Sequence, residues 1–273
     1  MNRLSITYRT LLLLWGIPGL FSSVKAASGL EAVWNSIADS QPAEAKAELR
    51  QVELIDARER ALAGVVVALT RLPLTGDRLR ELDLVLADLT LEVDDLSARA
   101  LYLRARLHQV HSTPANYARA GELYRELAQR HPASHWAQLG LVKLGLISLY
   151  ALPEPADPAA RLAAAAALLG AITEPALRRD LQMQIGWAGL FYNRPLDEVL
   201  PHLIAAERTG GLFALIPEDL VLQIGELSLR AGQYKQARTY FDRFLREYPV
   251  SLRRYNVQQR MLELVRREKE GGS

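Results

Sequence analysis

Residues 218–251, EDLVLQIGELSLRAGQYKQARTYFDRFLREYPVS, decide the fold of this chain. The segment reads as two short amphipathic helices joined by a corner at Gly232. Gly225 in the first helix and Ala237 in the second are small enough to let the paired helices approach closely. Pro249 ends the second helix because proline has no backbone N–H to donate. One such pair cannot bury its own apolar faces, so the segment predicts an array of pairs.

A second segment, residues 101–134, repeats this spacing. The shared positions are occupied by Tyr117, Ala120, Tyr124 and Pro132 in this segment, and by Tyr234, Ala237, Phe241 and Pro249 in the other. His108 stands where Gly225 stands, which predicts a wider helix pair here. The sequence WAQLG at 136–140 follows in phase and is typical of the start of a further unit.

The spacing of small and aromatic residues in these two segments resembles that of the tetratricopeptide repeat family. Its units of about 34 residues are helix–turn–helix pairs. The resemblance implies an all-α fold, a right-handed α-solenoid of antiparallel helix pairs. It also implies a protein that binds a protein or peptide partner in a concave groove lined by the first helix of each pair. Members that clamp a C-terminal carboxylate use Lys and Asn in this groove, and this chain lacks them there.

Carried over residue by residue, the resemblance implies a set of partner-binding residues on the first helices. The candidates are Tyr102, Gln109, Met183, Trp187, Phe191, Asp219, Leu222, Glu226 and Arg230, with Leu141, Leu144 and Leu190 as further members. The apolar candidates between the two clear repeats, 101–134 and 218–251, can be interpreted in two ways. They are either buried against an insertion or exposed in the groove.

The repeats and the turn signals divide the chain into four parts. They are a signal peptide at 1–26, a divergent N-terminal helical region at 27–100, repeats at 101–251, and a capping helix and tail at 252–273. The repeats are clear at 101–134 and 218–251 and degenerate between them, with a proline-rich interruption at 152–158. An arginine-rich helix at the end fits a cap, because a solenoid needs a terminal helix with one polar face.

Local signals predict several helix boundaries. Apolar residues recur at helical spacing within 42–72, which predicts a buried helix face there. Asp157 and Pro158 predict the N-cap and the first residue of a helix. Gly210 predicts the end of the preceding helix, because glycine readily adopts the left-handed conformation found there.

The first 26 residues have the pattern of a secretory signal peptide. Arg3 and Arg9 are basic, an apolar run follows, and small residues occupy positions 24 and 26. The apolar run is roughly 12 residues long, whereas about 20 are needed to span a bilayer. We therefore expect cleavage after about Ala26 and export across the inner membrane of a bacterium, to the periplasm or cell surface. An uncleaved anchor is the alternative.

The overall charge disfavours several partner classes. The chain has 33 Lys and Arg against 31 Asp and Glu, a net charge of +2. Three of the bases and none of the acids lie in the predicted signal peptide, so the remainder has a net charge of −1. A near-neutral chain has no global field to attract nucleic acid or anionic lipid, so we expect no nucleic acid partner and no membrane insertion of the mature chain. Cysteine is absent, so no disulfide can form.

Motifs of catalysis and metal binding are missing from the sequence. The pairs His108/His111 and His131/His135 lie on the order of 20 Å apart along a helix pair and cannot share one site. There is no nucleophile elbow, no zinc-binding helix motif and no phosphate-binding loop. The sequence predicts no cofactor, no metal and no enzyme, but a scaffold of the bacterial cell envelope for assembly, secretion or polysaccharide export. The alternative is an accessory or catalytic component of an envelope glycan hydrolase.

Overall fold

The computed structural model describes residues 30–53, 56–70 and 74–271, with side chains described as far as Arg267. These residues hold 13 α-helices and no strand, which confirms the predicted all-α class. They divide into two compact units, one ending at Leu89 and the other beginning at Thr90. The predicted signal peptide at 1–26 lies outside the described residues. No helix in the described part combines the length and the apolar character needed to cross a bilayer.

The first unit contains four consecutive helices. They are α1 (Glu31–Ala38), α2 (Pro42–Gln51), α3 (Ala57–Leu69) and α4 (Gly76–Leu89). Each helix packs against the next. Val33 and Trp34 of α1 lie in a core with Ala45 of α2 and Ala63 of α3.

The buried helix face predicted within 42–72 is present in α3, where Val65 and Leu69 are buried, and the stretch holds two helices, α2 and α3. Asp56 explains why α3 begins at Ala57. Its carboxylate accepts hydrogen bonds from the backbone N–H of Arg58, at 2.8 Å, and of Glu59, at 3.2 Å. The first N–H groups of a helix have no partner within it, so an aspartate at this position favours a helix beginning at Ala57.

The second unit contains the other nine helices of the described residues. They are α5 (Asp95–Arg106), α6 (Tyr117–Arg130), α7 (His135–Tyr150), α8 (Pro158–Ala167), α9 (Pro175–Phe191), α10 (Leu196–Thr209), α11 (Ile216–Arg230), α12 (Tyr234–Glu247) and α13 (Arg254–Gly271). Each packs against the next, and α7 also contacts α5 and α9. This pairwise packing of neighbouring helices is that of a tetratricopeptide-like α-solenoid. Its right-handed sense stays a prediction.

Glycines set how closely the later pairs approach. A Cβ added to Gly225 of α11 would lie 2.7 Å from the ring of Phe241 on α12. A Cβ added to Gly186 of α9 would lie 2.5 Å from Leu203 on α10. Contacts this short are not compatible with a side chain at either position. The close approach predicted at Gly225 is therefore present, and α9 and α10 repeat it.

The pair α5–α6 has a different corner. Helix α5 begins at Asp95, so the predicted start of the repeats at residue 101 falls inside it. It continues beyond Arg106 as a π-helical turn, Leu107–His111, which contains His108. Five further residues precede α6, whereas three separate α11 from α12. The longer corner shifts the residues of α5 relative to their counterparts in α11.

The predicted boundaries at 157–158 and 210 are confirmed. The carboxylate of Asp157 accepts a hydrogen bond of 2.8 Å from the backbone N–H of Ala160, and Pro158 begins α8. Gly210 follows α10 with a φ of 70°. At the other end of the unit, α13 packs on α12 and buries Val257 and Leu264.

Candidate functional site

An open groove lies between α9 and α11, beside the start of α13, with a cavity volume of about 1000 Å³. The residues that line it are Trp187, Leu190, Asn193, Arg194, Pro195, Leu196, Asp219, Leu222, Gln223, Glu226, Leu227, Arg230 and Arg253. Most of them belong to α9 and α11, which are the first helices of two successive pairs. The sequence predicted a groove on these helices.

Apolar side chains form the centre of the groove. Trp187 is 37% exposed, and its indole N–H donates a hydrogen bond of 3.3 Å to the side-chain oxygen of Gln223 on α11. Leu190 and Leu222 are partly buried against the core beneath. The indole is therefore held in one orientation while part of its surface remains accessible.

Arginines in α13 and just before it are ion-paired with acidic residues of α11. Arg253 forms an ion pair with Asp219, and Arg260 forms one with Glu226 at 2.9 Å. Arg260 also contacts Glu263 at 2.9 Å. The hydrogen bonds that Arg260 donates to Glu226 and Glu263 raise the pKa of its guanidinium, and those that Glu263 accepts from Arg260 and Arg267 lower the pKa of Glu263.

Both ion pairs between α11 and the C-terminal segment join residues 34 positions apart, Asp219 with Arg253 and Glu226 with Arg260. This is the length of one repeat. Helix α13 thus occupies the place of a further first helix. Arg253 lies at one side of the groove, and Arg230 of α11 is exposed and has no ion-pair partner among the described residues.

The structure brings together five of the nine predicted partner-binding residues. Trp187, Asp219, Leu222, Glu226 and Arg230 all line this groove. Of the further candidates, Leu190 lines it as well. These side chains come from two helices that the sequence separates by more than 20 residues.

Three of the predicted residues are not on the surface: the prediction of exposure is wrong for Tyr102 and Gln109, and of the two alternatives left open for Met183 burial is the one observed. Tyr102 is 3% exposed, because its ring packs between those of Tyr124 and Trp136 at centroid distances of 6.1 and 5.5 Å. Gln109 is 8% exposed and accepts a hydrogen bond of 2.7 Å from the hydroxyl of Tyr124. Met183 belongs to the core formed by α9 to α13.

Phe191 is exposed but lies apart from the groove lining. Its ring packs edge-on against Tyr150 and Tyr192, at centroid distances of 5.6 and 4.9 Å. Burial and the neighbouring phenol of Tyr192 raise the pKa of Tyr150 to about 12. Leu141 and Leu144, the remaining candidates, are buried in α7.

Sequence reasoning missed two arginines that line the groove. Arg253 was assigned to a capping helix, although its distance of one repeat length from Asp219 could have identified it. Arg194 follows α9, where its guanidinium pairs with Glu198 at 2.8 Å. No periodic signal in the sequence marks Arg194.

Three of the five histidines have local side-chain partners. His131 lies 3.2 Å from the hydroxyl of Ser97, His135 lies 2.8 Å from the carboxylate of Glu174, and His202 lies 2.6 Å from Gln182. Burial lowers the pKa of His202. The described residues contain no group of three or more His, Asp or Glu side chains arranged to hold a metal ion.

Paired helices, glycines at their close contacts and an open groove along the first helices define a helical-repeat protein. Residues 219–251 match the family model described as Tetratricopeptide repeat. This segment, which comprises most of α11 and all of α12, is a tetratricopeptide repeat, and it suggests a protein–protein interaction module. No curated protein and no solved structure matches the chain.

Proposed function

We propose that this chain is a non-catalytic scaffold that binds a segment of a partner protein in the groove between α9 and α11. The observation that carries the proposal is the accessible indole of Trp187, fixed by Gln223 at the centre of a groove with charged edges. An apolar centre surrounded by polar groups is the usual arrangement of protein interfaces. Tryptophan and arginine contribute most often to the binding energy of such interfaces.

The ion pairs along the groove support a passive, preformed surface. Asp219 and Glu226 are already engaged by Arg253 and Arg260, so these four side chains are held in place before a partner arrives. Arg230, exposed in the lining, has no such partner among the residues that the structure describes. It is available to a carboxylate or a backbone carbonyl of the bound segment.

We place this activity in the bacterial cell envelope, because residues 1–26 have the pattern of a secretory signal peptide. Mass spectrometry of the mature N-terminus tests this placement. A chain that starts at Ala27 supports export with cleavage. An intact Met1 in the membrane fraction supports the anchor instead, and an intact Met1 in the cytoplasmic fraction contradicts export.

A pull-down from an envelope extract tests the groove. The bait is the chain from Ala27 onwards, compared with the double variant Trp187→Ala/Arg230→Ala. The matched control is Phe213→Ala, which removes an aromatic side chain that is 72% exposed and lies outside the groove lining. We expect a partner that the wild type and the control retain and the double variant loses.

Two results would contradict the proposal. One is recovery of the same proteins with all three baits. The other is an absence of partners together with hydrolysis of cell-wall glycans by the purified chain, which would favour the envelope hydrolase.

A further inference from the structure

Four apolar side chains are exposed on the C-terminal segment, in α13 and just before it. Tyr255 is 66% exposed, Leu262 is 64% exposed and Val265 is 37% exposed. Leu252, two residues before the helix, is fully exposed. A terminal cap of a solenoid needs a polar outer face. The outer face of α13 is instead apolar at these positions, which marks it as an interaction surface.

The repeat length shows which face of α13 this is. The two ion pairs that join residues 34 positions apart align α13 with α11. At this offset, Tyr255 and Leu262 of α13 correspond to Val221 and Ser228 of α11. The hydroxyl of Ser228 accepts a hydrogen bond of 2.9 Å from the side chain of Gln236 on α12, and Val221 lies two turns earlier on the same buried face. Tyr255 and Leu262 therefore face the place that a second helix would occupy beside α13.

The second helix of a closely connected pair runs antiparallel to the first. A second copy of α13 meets this requirement, because two identical helices related by a two-fold axis perpendicular to them are antiparallel. In such a pair, residue i of one copy faces residue j of the other, and j faces i. A helix that pairs with itself must therefore carry its apolar residues symmetrically about one point.

The exposed apolar residues of this segment have that symmetry. The central point lies midway between positions 258 and 259. Tyr255 and Leu262 are equally far from it on either side, and Leu252 and Val265 each lie three residues further out. With this point on the two-fold axis, every exposed apolar side chain of one copy faces an apolar side chain of the other.

The residues beside the axis favour the same pairing. Gln258 and Gln259 are exposed, and neither has a charge that would repel its counterpart in the other copy. Like charges opposed across an interface would prevent such an association. A glutamine amide both donates and accepts hydrogen bonds, so it can pair with an identical side chain across the axis.

We propose that two copies of this chain associate through α13, so that each copy supplies the second helix of the other's terminal pair. Tyr255 of one copy packs on Leu262 of the other, and Leu252 packs on Val265, around a two-fold axis. Aromatic residues are enriched in the buried centres of protein interfaces, and Tyr255 lies near this centre.

This dimer leaves the groove open. Arg260, whose ion pair with Glu226 joins α13 to α11, is separated from Tyr255 by about 140° and from Leu262 by about 160° around the helix, at about 100° per residue. The pairing face and the face towards α11 are thus on opposite sides of α13. The inference does not rest on the proposed function, and either one stands if the other fails.

Analytical ultracentrifugation tests the proposal on the chain from Ala27 onwards, which contains every residue that the structure describes. We expect an equilibrium between one copy and two that depends on concentration. Leu262→Asp should weaken the dimer by about tenfold or more, because pairing would bury a carboxylate against the ring of Tyr255. The control is Leu84→Asp on α4, where the leucine is 70% exposed, and it should leave the equilibrium unchanged.

An exchange of charges tests the antiparallel register. Tyr255→Lys and Leu262→Asp should each weaken the dimer. The double variant should recover much of the loss, because the new opposite charges meet in both symmetric contacts. Since exposed charges are screened by salt, this recovery should diminish as the ionic strength rises.

The absence of cysteine allows a direct test of the axis. Gln259→Cys introduces a single thiol beside it. Under mild oxidation we expect a disulfide-linked dimer, because two copies of this position come close enough to bridge only near the axis. Leu84→Cys is the control and should not form this product.

Several results would overturn the proposal. A single copy at all concentrations would leave the apolar face of α13 to a different protein. A dimer that survives Leu262→Asp, or that Leu84→Asp weakens equally, would show that the copies meet elsewhere. A dimer that the double variant fails to restore would contradict the antiparallel register.

Discussion

The ring of Phe241 occupies the space into which a side chain at position 225 would project. A Cβ on Gly225 would lie 2.7 Å from one ring carbon and 2.8 Å from the next. Phe241 is completely buried, so the ring cannot move aside without displacing the core of α11 and α12. The contact fixes the separation of the two helices in the segment that matches the tetratricopeptide repeat.

Gly225→Ala should therefore destabilise the fold, even though alanine favours a helix more than glycine does. We expect a net loss of about 1–3 kcal/mol in the free energy of unfolding, because overpacking a core has this effect. Chemical denaturation of the wild type and the variant measures it.

The control for that substitution is Gly170→Ala. A Cβ at Gly170 meets nothing within 4 Å. Its effect should lie within about 0.5 kcal/mol of zero or be slightly stabilising. Similar losses at both glycines would show that the contact with Phe241 does not set the helix spacing.

A partly buried ion pair ties α10 to α12. The carboxylate of Glu207, with its side chain 9% exposed, accepts from Arg243 at 2.6 Å and from the hydroxyl of Tyr240 at 3.3 Å. Arg243→Met should cost about 2 kcal/mol, because it leaves the Glu207 charge without its cation in a largely dehydrated place. Adding Glu207→Gln should recover part of the loss.

Arg246→Met is the matched control for Arg243→Met. Arg246 is 71% exposed and lies 3.5 Å from Glu247, so its removal should change the free energy of unfolding by less than about 0.5 kcal/mol. Equal losses for the two arginine variants, in urea melts at pH 7, would contradict a special role for Glu207.

Lys143 should make stability depend on pH. Its pKa falls from an ordinary value near 10.5 to about 8 in the folded chain, because of burial and Arg106. Between these values the unfolded chain binds a proton that the folded chain does not, so stability from this residue rises as pH rises from about 8 to 10.5. Below pH 8 the full penalty of the buried charge remains.

Lys143→Met removes that penalty. We expect the variant to be more stable than the wild type by about 1–3 kcal/mol at pH 7, with the difference shrinking towards pH 10.5. Denaturation of both chains across this range measures the difference directly. A difference that stays constant with pH would contradict the lowered pKa of Lys143.

The sequence predicts the fold well where one residue alone determines the local structure. Gly225 permits a close helix pair, and Asp157 with Pro158 begins α8. Each of these effects depends on backbone space or a local hydrogen bond, so the residue type is sufficient evidence.

Prediction from the sequence fails where the connection between the two helices of a pair changes length, as it does between α5 and α6. Tyr102 and Gln109 were aligned with Asp219 and Glu226 by counting residues, but the π-helical turn and the five-residue loop after α5 shift that alignment. The added turn rotates the helix face, so two predicted surface residues lie in the core. For Met183 the sequence leaves burial and exposure open, since burial of one apolar residue in a degenerate repeat depends on tertiary packing alone.

Photo-crosslinking from position 187 tests most directly whether the groove binds a partner protein. Trp187 is replaced by a photoreactive phenylalanine analogue in the living cell, and Phe213, exposed but outside the groove lining, is replaced in a matched strain. We predict that irradiation joins a defined protein to position 187 and not to position 213. The same products at both positions, or none at 187, would contradict binding in the groove.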